Sequence, residues 1–358
     1  MKLTLPAYAL VLLLAACGGD APESAVSGAG SAMPAVDPLA PGVGTALGAV
    51  PIPATNPMTE AKIALGQQLF FEPRMSVDGS RSCYSCHLNE DGNGGHDPKA
   101  IGAQERQLTR HAPVIWNVGY MPRLYWDGRT NDLEAQARAA WGGGNMGVGA
   151  DNLDAKATEI GQIPGYATQF AAVFGARGAT GETVSEAIAA YERTLVCSTT
   201  RFDRYQAGET AALNEQEGRG MGVFNGKGGC VACHMAPFFS SQVVNPDEAF
   251  YNVGIGIDGV AEASVDIGRQ TVSQNAVDWA AFKVPSLRNV ARSAPYFHDG
   301  SVGTLVEAVR FMASGGYPNK SLTALLANRA LTDAEIADVV AFLGSLDCGS
   351  LAQPQLPN

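Results

Sequence analysis

The pentapeptide Cys-x-x-Cys-His occurs twice in this chain of 358 residues, and no other feature constrains its fold as strongly. Two thiols three residues apart lie on one helical turn, where each can add to one vinyl group of the same porphyrin. The adjoining histidine then ligates the iron, and in an exported protein this spacing is typical of c-type haem attachment. We therefore predict two covalent haems c, held by Cys83, Cys86, His87, Cys230, Cys233 and His234.

Two other interpretations fit a single copy of the motif, namely a thioredoxin-like redox pair and half of a zinc site. Neither explains why histidine follows at once in both copies, whose first cysteines lie 147 residues apart. The repetition therefore favours haem attachment at both places.

The N-terminus predicts export. Lys2 precedes an apolar run at residues 8–16 that is too short to span a membrane as a mature helix, so residues 1–16 are expected to be a signal peptide. Residues 14–17 match a bacterial lipoprotein cleavage box, which predicts a lipid on Cys17. The protein would then lie in the periplasm, anchored to the outer membrane. An ordinary signal peptide with an incidental cysteine is the alternative.

The next segments divide the chain. Residues 17–56 are rich in Ala, Ser, Gly and Pro, which predicts a flexible tether and leaves the lipid as the only membrane contact. The remaining chain is longer than one hydrophobic core usually serves, so two domains are expected. We place them at residues 57–207 and 208–348, followed by a tail at 349–358.

A faint internal repeat supports this division. Residues 59–70 and 213–224 each place a polar start, helical apolar spacing and a final phenylalanine before one copy of the motif. Residues 331–346 combine an N-cap at Thr332 or Asp333 with apolar residues at helical spacing, which predicts a helix closing over the second haem. Strand-like runs are few and short. We expect a mainly α fold of two cytochrome c-type haem domains.

The charge balance limits the partners. The net charge is -11 and the isoelectric point lies near 4.9. An acidic surface argues against binding to nucleic acid and favours a basic redox partner.

The cysteine count suggests one disulfide. Of seven cysteines, one is expected to carry lipid and four to carry haem, which leaves Cys197 and Cys348. Both lie at the ends of helix-like segments, and leftover thiols tend to pair in an oxidising compartment. The alternative is two separate buried thiols, because cysteine packs well as a small apolar residue.

Four further stretches, residues 71–76, 124–129, 198–205 and 282–300, resemble the bacterial dihaem cytochrome c peroxidases. MauG, which oxidises tryptophans in a partner protein, is a relative. The resemblance extends over about residues 57 to 347. It implies a peroxidatic N-terminal haem of low potential and an electron-transfer C-terminal haem of high potential. It also implies a small electron donor, either a cytochrome c or a cupredoxin.

The resemblance also assigns individual residues. Met312 falls where the peroxidases place the distal ligand of the electron-transfer haem, although spacing alone favours a core residue. Trp126 resembles the tryptophan between the haems, and Gln136 matches the distal glutamine. A calcium ion between the domains would use backbone oxygens around Ser293 and Pro295.

The predicted peroxide site departs from the family at one residue. Asn145 stands where the resemblance implies a glutamate, and a neutral amide cannot move a proton between the two oxygens of peroxide. Either Glu134 or Asp151, which are near in sequence, substitutes for it, or peroxidase turnover is impaired.

The sixth ligand of the N-terminal haem is a second departure. Many family members have a distal histidine that would fall near residues 101–103, which contain none. We therefore expect an open haem. His111 replaces the asparagine beside the family's calcium, and imidazole is a poor ligand for that cation. His96 is expected to be a solvated loop residue, and Met235 to pack only.

These observations favour a dihaem oxidoreductase that reduces hydrogen peroxide. The first alternative is MauG-like oxidation of a partner protein. Trp141 and the missing distal histidine favour it, whereas Met312 argues against it. The second is a dihaem electron carrier with a degenerate peroxidase site, which Asn145 supports. A homodimer is left open.

Overall fold

The computed structural model describes residues 47–358, so the proposed signal peptide, Cys17 and most of the proposed tether lie outside the described residues. Its α-helices are α1 (Glu60–Phe71), α2 (Leu133–Gly142), α3 (Leu153–Gly161), α4 (Pro164–Phe174), α5 (Gly181–Glu192), α6 (Arg201–Gln206), α7 (Glu215–Asn225), α8 (Gln270–Ser273), α9 (Leu305–Ser314) and α10 (Asp333–Gly344). Two short strands, β1 (Phe250–Tyr251) and β2 (Phe282–Lys283), pair antiparallel. The predicted mainly α fold is confirmed.

The helices begin where the sequence supplies caps. In five of them the N-cap side chain accepts a hydrogen bond from the third helical backbone N–H, and the third side chain bonds back to the N-cap. These N-caps are Thr180, Thr200, Asn214, Thr304 and Thr332. Thr332 is one of the two caps that the sequence predicts for the closing helix, α10.

Two helix crossings explain the internal repeat. Helix α1 crosses α5 at Gly66, where a Cβ atom would lie 1.8 Å from the backbone oxygen of Ala187. Helix α7 crosses α10 at Gly220, where a Cβ atom would lie 1.9 Å from the backbone oxygen of Asp338. Only glycine permits such close approach. Each helix before a motif therefore pairs with a later helix in the same way.

A hydrophobic cluster surrounds each crossing. The first contains Leu69 and Val184, and the second contains Phe224 and Phe342. The described residues nevertheless form one compact unit. The domain boundary at 207/208 stays a prediction.

The last residue of the segment that the sequence assigns to the tether packs against the fold. Asn56 is 1% exposed, and its amide donates hydrogen bonds to the Glu134 carboxylate at 2.6 Å and to the Glu186 backbone oxygen at 2.9 Å. Its own Oδ1 accepts a hydrogen bond from Lys62 at 2.8 Å. A buried amide with these partners holds the segment in place, so the packed chain begins before residue 57.

The tail also packs, because Leu351 is buried in the first cluster and its backbone oxygen accepts a hydrogen bond from Asn89 at 2.9 Å. Arg74 donates to the backbone oxygen of Pro357 at 2.6 Å. The C-terminus thus returns to the first half of the chain. Within residues 47–358, no helix combines the length and apolar character that crossing a membrane requires.

Cys197 and Cys348 form a disulfide in the structure, with Cα atoms 5.3 Å apart. Cys197 follows α5, and Cys348 follows α10. The bond therefore closes a loop over residues 197–348, which contains the second motif and all helices from α6 to α10.

Replacing both of these cysteines with alanine should lower the free energy of unfolding by about 2–4 kcal/mol, because the cross-link restricts the unfolded chain. Denaturant titration of wild type and of C197A/C348A measures the effect. Wild type treated with a reductant should behave like the double variant. Peptide mapping that recovers both residues as free thiols would contradict the pairing.

Candidate functional site

One cavity of about 800 Å³ joins the two motifs. Among the predicted site residues, those that line it are Cys86, His87, Trp126, Gln136, Asn145, Cys230, Cys233, His234, Ser293, Pro295 and Met312. Cys83 instead packs against the first hydrophobic cluster. Residues that are far apart in sequence thus meet around a single space.

Each motif forms a short 3-10 turn that presents its histidine to the cavity. The turns are Tyr84–Cys86 and Cys230–Ala232. The backbone N–H of His87 donates to the oxygen of Tyr84 at 3.0 Å, which closes the first turn. The four motif cysteines form no disulfide bond in the structure.

Both histidines are oriented as iron ligands. The Nδ1 atom of His87 lies 3.2 Å from the backbone oxygen of Asn93, and that of His234 lies 3.0 Å from the backbone oxygen of Phe239. A carbonyl partner requires a proton on Nδ1, so Nε2 keeps its lone pair. Burial lowers the pKa of His87 to about 4 and also lowers the pKa of His234. Both rings therefore stay neutral, as ligation requires.

The cavity fits the predicted haems. Three of the four motif thiols and both neutral imidazoles line it, and Cys83 lies in the same turn as Cys86, so the donor set of c-type attachment is at hand. Lys283 also lines it, and burial lowers the pKa of this amino group to about 8. A cationic side chain in an apolar wall suits a cofactor with anionic propionates. The residues present therefore accommodate the group that the motifs predict.

Gln136 and Asn145 both line the cavity. Gln136 lies on α2, and Asn145 lies in the loop that follows it. The backbone N–H of Ala103 donates to the backbone oxygen of Asn145 at 2.9 Å, and a Cβ atom at Gly102 would lie 2.1 Å from the oxygen of Gly144. The segment 101–103, near which the resemblance would place a distal histidine, is therefore pressed against this loop.

The two acids that sequence proximity suggests as proton shuttles do not line the cavity. Arg193 binds both carboxylate oxygens of Glu134, at 2.7 and 2.9 Å. Burial by itself would raise the pKa of Glu134, but the hydrogen bonds from Arg193 and Asn56 outweigh it and lower the pKa. Asp151 is exposed. Helical positions two apart do not face the same way, so Glu134 is turned away from Gln136.

Glu192 is a cavity residue that the sequence analysis missed. It ends α5, is 7% exposed and lines the cavity. Its Oε2 atom has no hydrogen-bond partner among the described residues. Burial raises its pKa to about 8. The sequence offered no signal for this role, because a Glu-Arg pair at a helix end is ordinarily solvated.

Trp126 lines the cavity and is held by two hydrogen bonds to the backbone of other segments. Its Nε1 atom donates to the backbone oxygen of His111 at 2.8 Å, and its backbone oxygen accepts a hydrogen bond from the N–H of Lys283 at 2.8 Å. Its ring centroid is 6.5 Å from that of His298, which stacks on Phe282 at 3.6 Å. These hydrogen bonds fix the indole in the cavity wall.

The remaining candidates differ in their surroundings. His111 is buried and lines the cavity, with Nδ1 2.8 Å from the backbone oxygen of Asp97. The side chain of His96 is 74% exposed, as expected of a loop residue. Trp141 is a core residue, whose Nε1 donates to the Met75 oxygen at 2.8 Å.

The calcium prediction stays a prediction. Ser293 is buried, and both it and Pro295 line the cavity. Within residues 47–358, no group of three or more His, Cys, Asp or Glu side chains could hold a metal ion. The calcium site that the resemblance implies uses backbone oxygens, so the absence of such a side-chain group does not test it.

The mainly helical fold and a cavity lined by two Cys-x-x-Cys-His motifs define a dihaem c-type protein. The family model for di-haem cytochrome c peroxidases matches residues 60–211. The chain is 36% identical to cytochrome-c peroxidase IdrP1 of Denitromonas iodatirespirans, over 99% of this chain and 94% of that protein. It is 35% identical to methylamine utilization protein MauG of Methylorubrum extorquens, over 86% and 85% of the two chains.

A crystal structure of a MauG-like protein associated with microbial copper homeostasis has the same fold. Its TM-score is 0.76 at 30% identity, covering 84% of this chain and 93% of that one. The chain therefore belongs to the di-haem cytochrome c peroxidase and MauG family, a family of peroxidase-type oxidoreductases.

Proposed function

We propose that this protein reduces hydrogen peroxide at an N-terminal haem with electrons that enter at a C-terminal haem from a small redox protein. The observation that carries the proposal is the single cavity that residues of both motifs line together with Trp126, Gln136 and Met312. The acidic net charge of -11 suits a basic donor, either a cytochrome c or a cupredoxin.

The chain would hold the two cofactors with residues already placed for them. Cys83 and Cys86 would attach the first haem, and His87 would ligate its iron. The second pair and His234 would do the same for the other haem, with Met312 as the sixth ligand. When bound, the haem irons supply one-electron redox chemistry and a site for peroxide.

The protein's own groups would then manage binding and protons. The Gln136 amide can donate a hydrogen bond to peroxide, and the Asn145 amide can do so from the neighbouring loop. Reduction of peroxide to two water molecules also consumes two protons. Because neither amide can supply them, a titratable group elsewhere in the cavity must.

Steady-state peroxide consumption with a reduced small cytochrome c tests this proposal. The protein must come from a host with haem-attachment machinery, and denaturing mass spectrometry should count two covalent haems. We expect turnover that falls in Gln136→Ala. A protein with two reducible haems and no turnover would be the electron carrier instead.

MauG-like oxidation of a partner protein is the second candidate. The close packing of Gly102 on Gly144, where a distal histidine is missing, favours it because the haem would be open. Peroxide added to the fully oxidised protein without donor would then cause a spectral change that persists for minutes. A rapid return to the starting spectrum favours the peroxidase.

Met312→Ala should lower the reduction potential of one haem and leave the other unchanged, because a thioether ligand favours ferrous iron. Met312 lies on α9 and lines the cavity. Met235→Ala is the matched control, since Met235 follows the second motif without lining the cavity. A redox titration with spectral detection measures both variants. Equal potentials in Met312→Ala and wild type would make Met312 a packing residue.

We also propose a lipid anchor on Cys17 after removal of residues 1–16, in the periplasm at the outer membrane. The cleavage box at residues 14–17 supports it. Cys17→Ser should move the protein from the membrane fraction to the soluble periplasmic fraction. A wild-type protein that is already soluble after osmotic release would contradict the anchor.

A further inference from the structure

The carboxyl group of Glu192 is buried, and one of its two oxygens, Oε2, has no hydrogen-bond partner among the described residues. It also lines the cavity. Glu192 is also the last residue of α5, where unpaired backbone carbonyls disfavour a negative charge. The neighbouring cation, Arg193, is bound to Glu134 through both of its terminal nitrogens. Arg193 therefore compensates an ionised Glu192 only in part, because its terminal nitrogens are already bound to Glu134.

Glu192 lies beside the first motif. Burial is the main cause that raises the pKa of the Cys83 thiol, and the negative charge of Glu192 raises it further. Burial is also the main cause that raises the pKa of Tyr125, and the Glu192 charge adds to it. The Tyr125 hydroxyl donates a hydrogen bond to the backbone oxygen of Gln136 at 3.2 Å. The carboxyl group thus stands near both the cysteine turn and the helix that supplies the distal glutamine.

Titratable groups from several segments of the chain interact electrostatically with Glu192. They are Tyr191 and Arg193 next to it in the chain, Glu134 on α2, Cys83 in the first motif and Tyr125 before Trp126. Arg193 lowers the pKa of Glu192, while burial and the Glu134 charge raise it. Burial is the largest cause and brings the pKa to about 8, from which a change of charge nearby can move it across neutral pH.

We propose that Glu192 is the redox-linked proton-binding group of the N-terminal haem, protonated when that haem is reduced and ionised when it is oxidised. The inference rests on the proposed function, because it requires haem at Cys83 and Cys86. One electron from the donor protein converts ferric to ferrous iron, and one proton from solvent converts the carboxylate to the acid. Oxidation returns both.

The physical reason is charge compensation in a poorly solvated space. An added electron removes one positive charge beside the carboxyl group and raises its pKa, and loss of the electron lowers it again. The proton bound by Glu192 is then available at the site where peroxide reduction consumes it. This would supply what Gln136 and Asn145 cannot, since an amide does not titrate.

The test is the pH dependence of the N-terminal haem's reduction potential in the holoprotein. Reduction takes up a proton, so the potential must fall as pH rises. Between the two pKa values of Glu192, the slope approaches about 59 mV for each tenfold change in proton concentration. We expect Glu192→Gln to flatten this slope. Glu186→Gln is the matched control, because Glu186 is buried on the same helix but paired with Arg177 at 2.7 Å.

An equal slope in Glu192→Gln and wild type would overturn the proposal. Should Glu192→Gln fail to fold with two haems, redox-difference infrared spectroscopy of wild type decides instead. A carboxylic acid C=O band that appears on reduction and shifts in deuterium oxide is expected, and its absence overturns the assignment. Neither readout needs peroxide turnover. A linked proton without turnover would therefore refute the proposed function alone.

Discussion

Removal of the first cysteine pair, in Cys83→Ala with Cys86→Ala, should lower peroxide turnover at least about 10³-fold. The catalytic iron contributes several kcal/mol of transition-state stabilisation, and it leaves with the haem. Steady-state consumption of peroxide with a reduced cytochrome c measures the effect. The variant should still carry one covalent haem, and the donor should still reduce it.

The reciprocal variant, Cys230→Ala with Cys233→Ala, separates the roles of the two haems. It should keep the peroxide-reactive haem but accept electrons from the donor far more slowly, because the entry haem is missing. Peroxide should still change the spectrum of its remaining haem. If this variant turned over with the donor while the first did not, electrons would enter directly at the N-terminal haem. If both behaved alike, the proposed division of labour would be wrong.

Local patterns in the sequence predicted the parts of the site that depend on a few neighbouring residues. The spacing of each motif determines its turn, and the carbonyl partners of His87 and His234 lie only five or six residues away along the chain. The cap at Thr332 and the apolar spacing after it likewise predicted α10. Such features need no knowledge of the tertiary fold.

The sequence alone could not predict which acid lies near the haem site. Glu134 is two residues from Gln136, yet its helical position turns it toward Arg193 and Asn56. Glu192 is 56 residues from Gln136 and meets the same cavity because α5 packs on α2. Asn56, which donates a hydrogen bond to Glu134, lies in the proposed tether, so the packed chain begins within that segment. These relations exist only after the helices have packed.

Asn145→Glu should raise peroxide turnover by about 10²-fold or more, because a positioned general acid–base group contributes about 10²–10⁴-fold. Asn145 lines the cavity together with Gln136, and neither Glu134 nor Asp151 does. The new carboxylate would stand where a proton can move between the two oxygens of peroxide. Asn145→Gln is the matched control, since it adds the same length without a titratable group and should bring no gain.

The same variant distinguishes a proton store from a proton shuttle. If Glu192 only stores a proton, Asn145→Glu should gain activity in its presence, and adding Glu192→Gln should remove much of that gain by interrupting the supply. If Glu192 already moves the proton between the peroxide oxygens, wild type should turn over as fast as Asn145→Glu. Glu192→Gln should then abolish wild-type turnover, and adding Asn145→Glu to it should restore activity. Turnover in neither protein, with both haems bound and reducible, would leave electron transfer as the function of this chain.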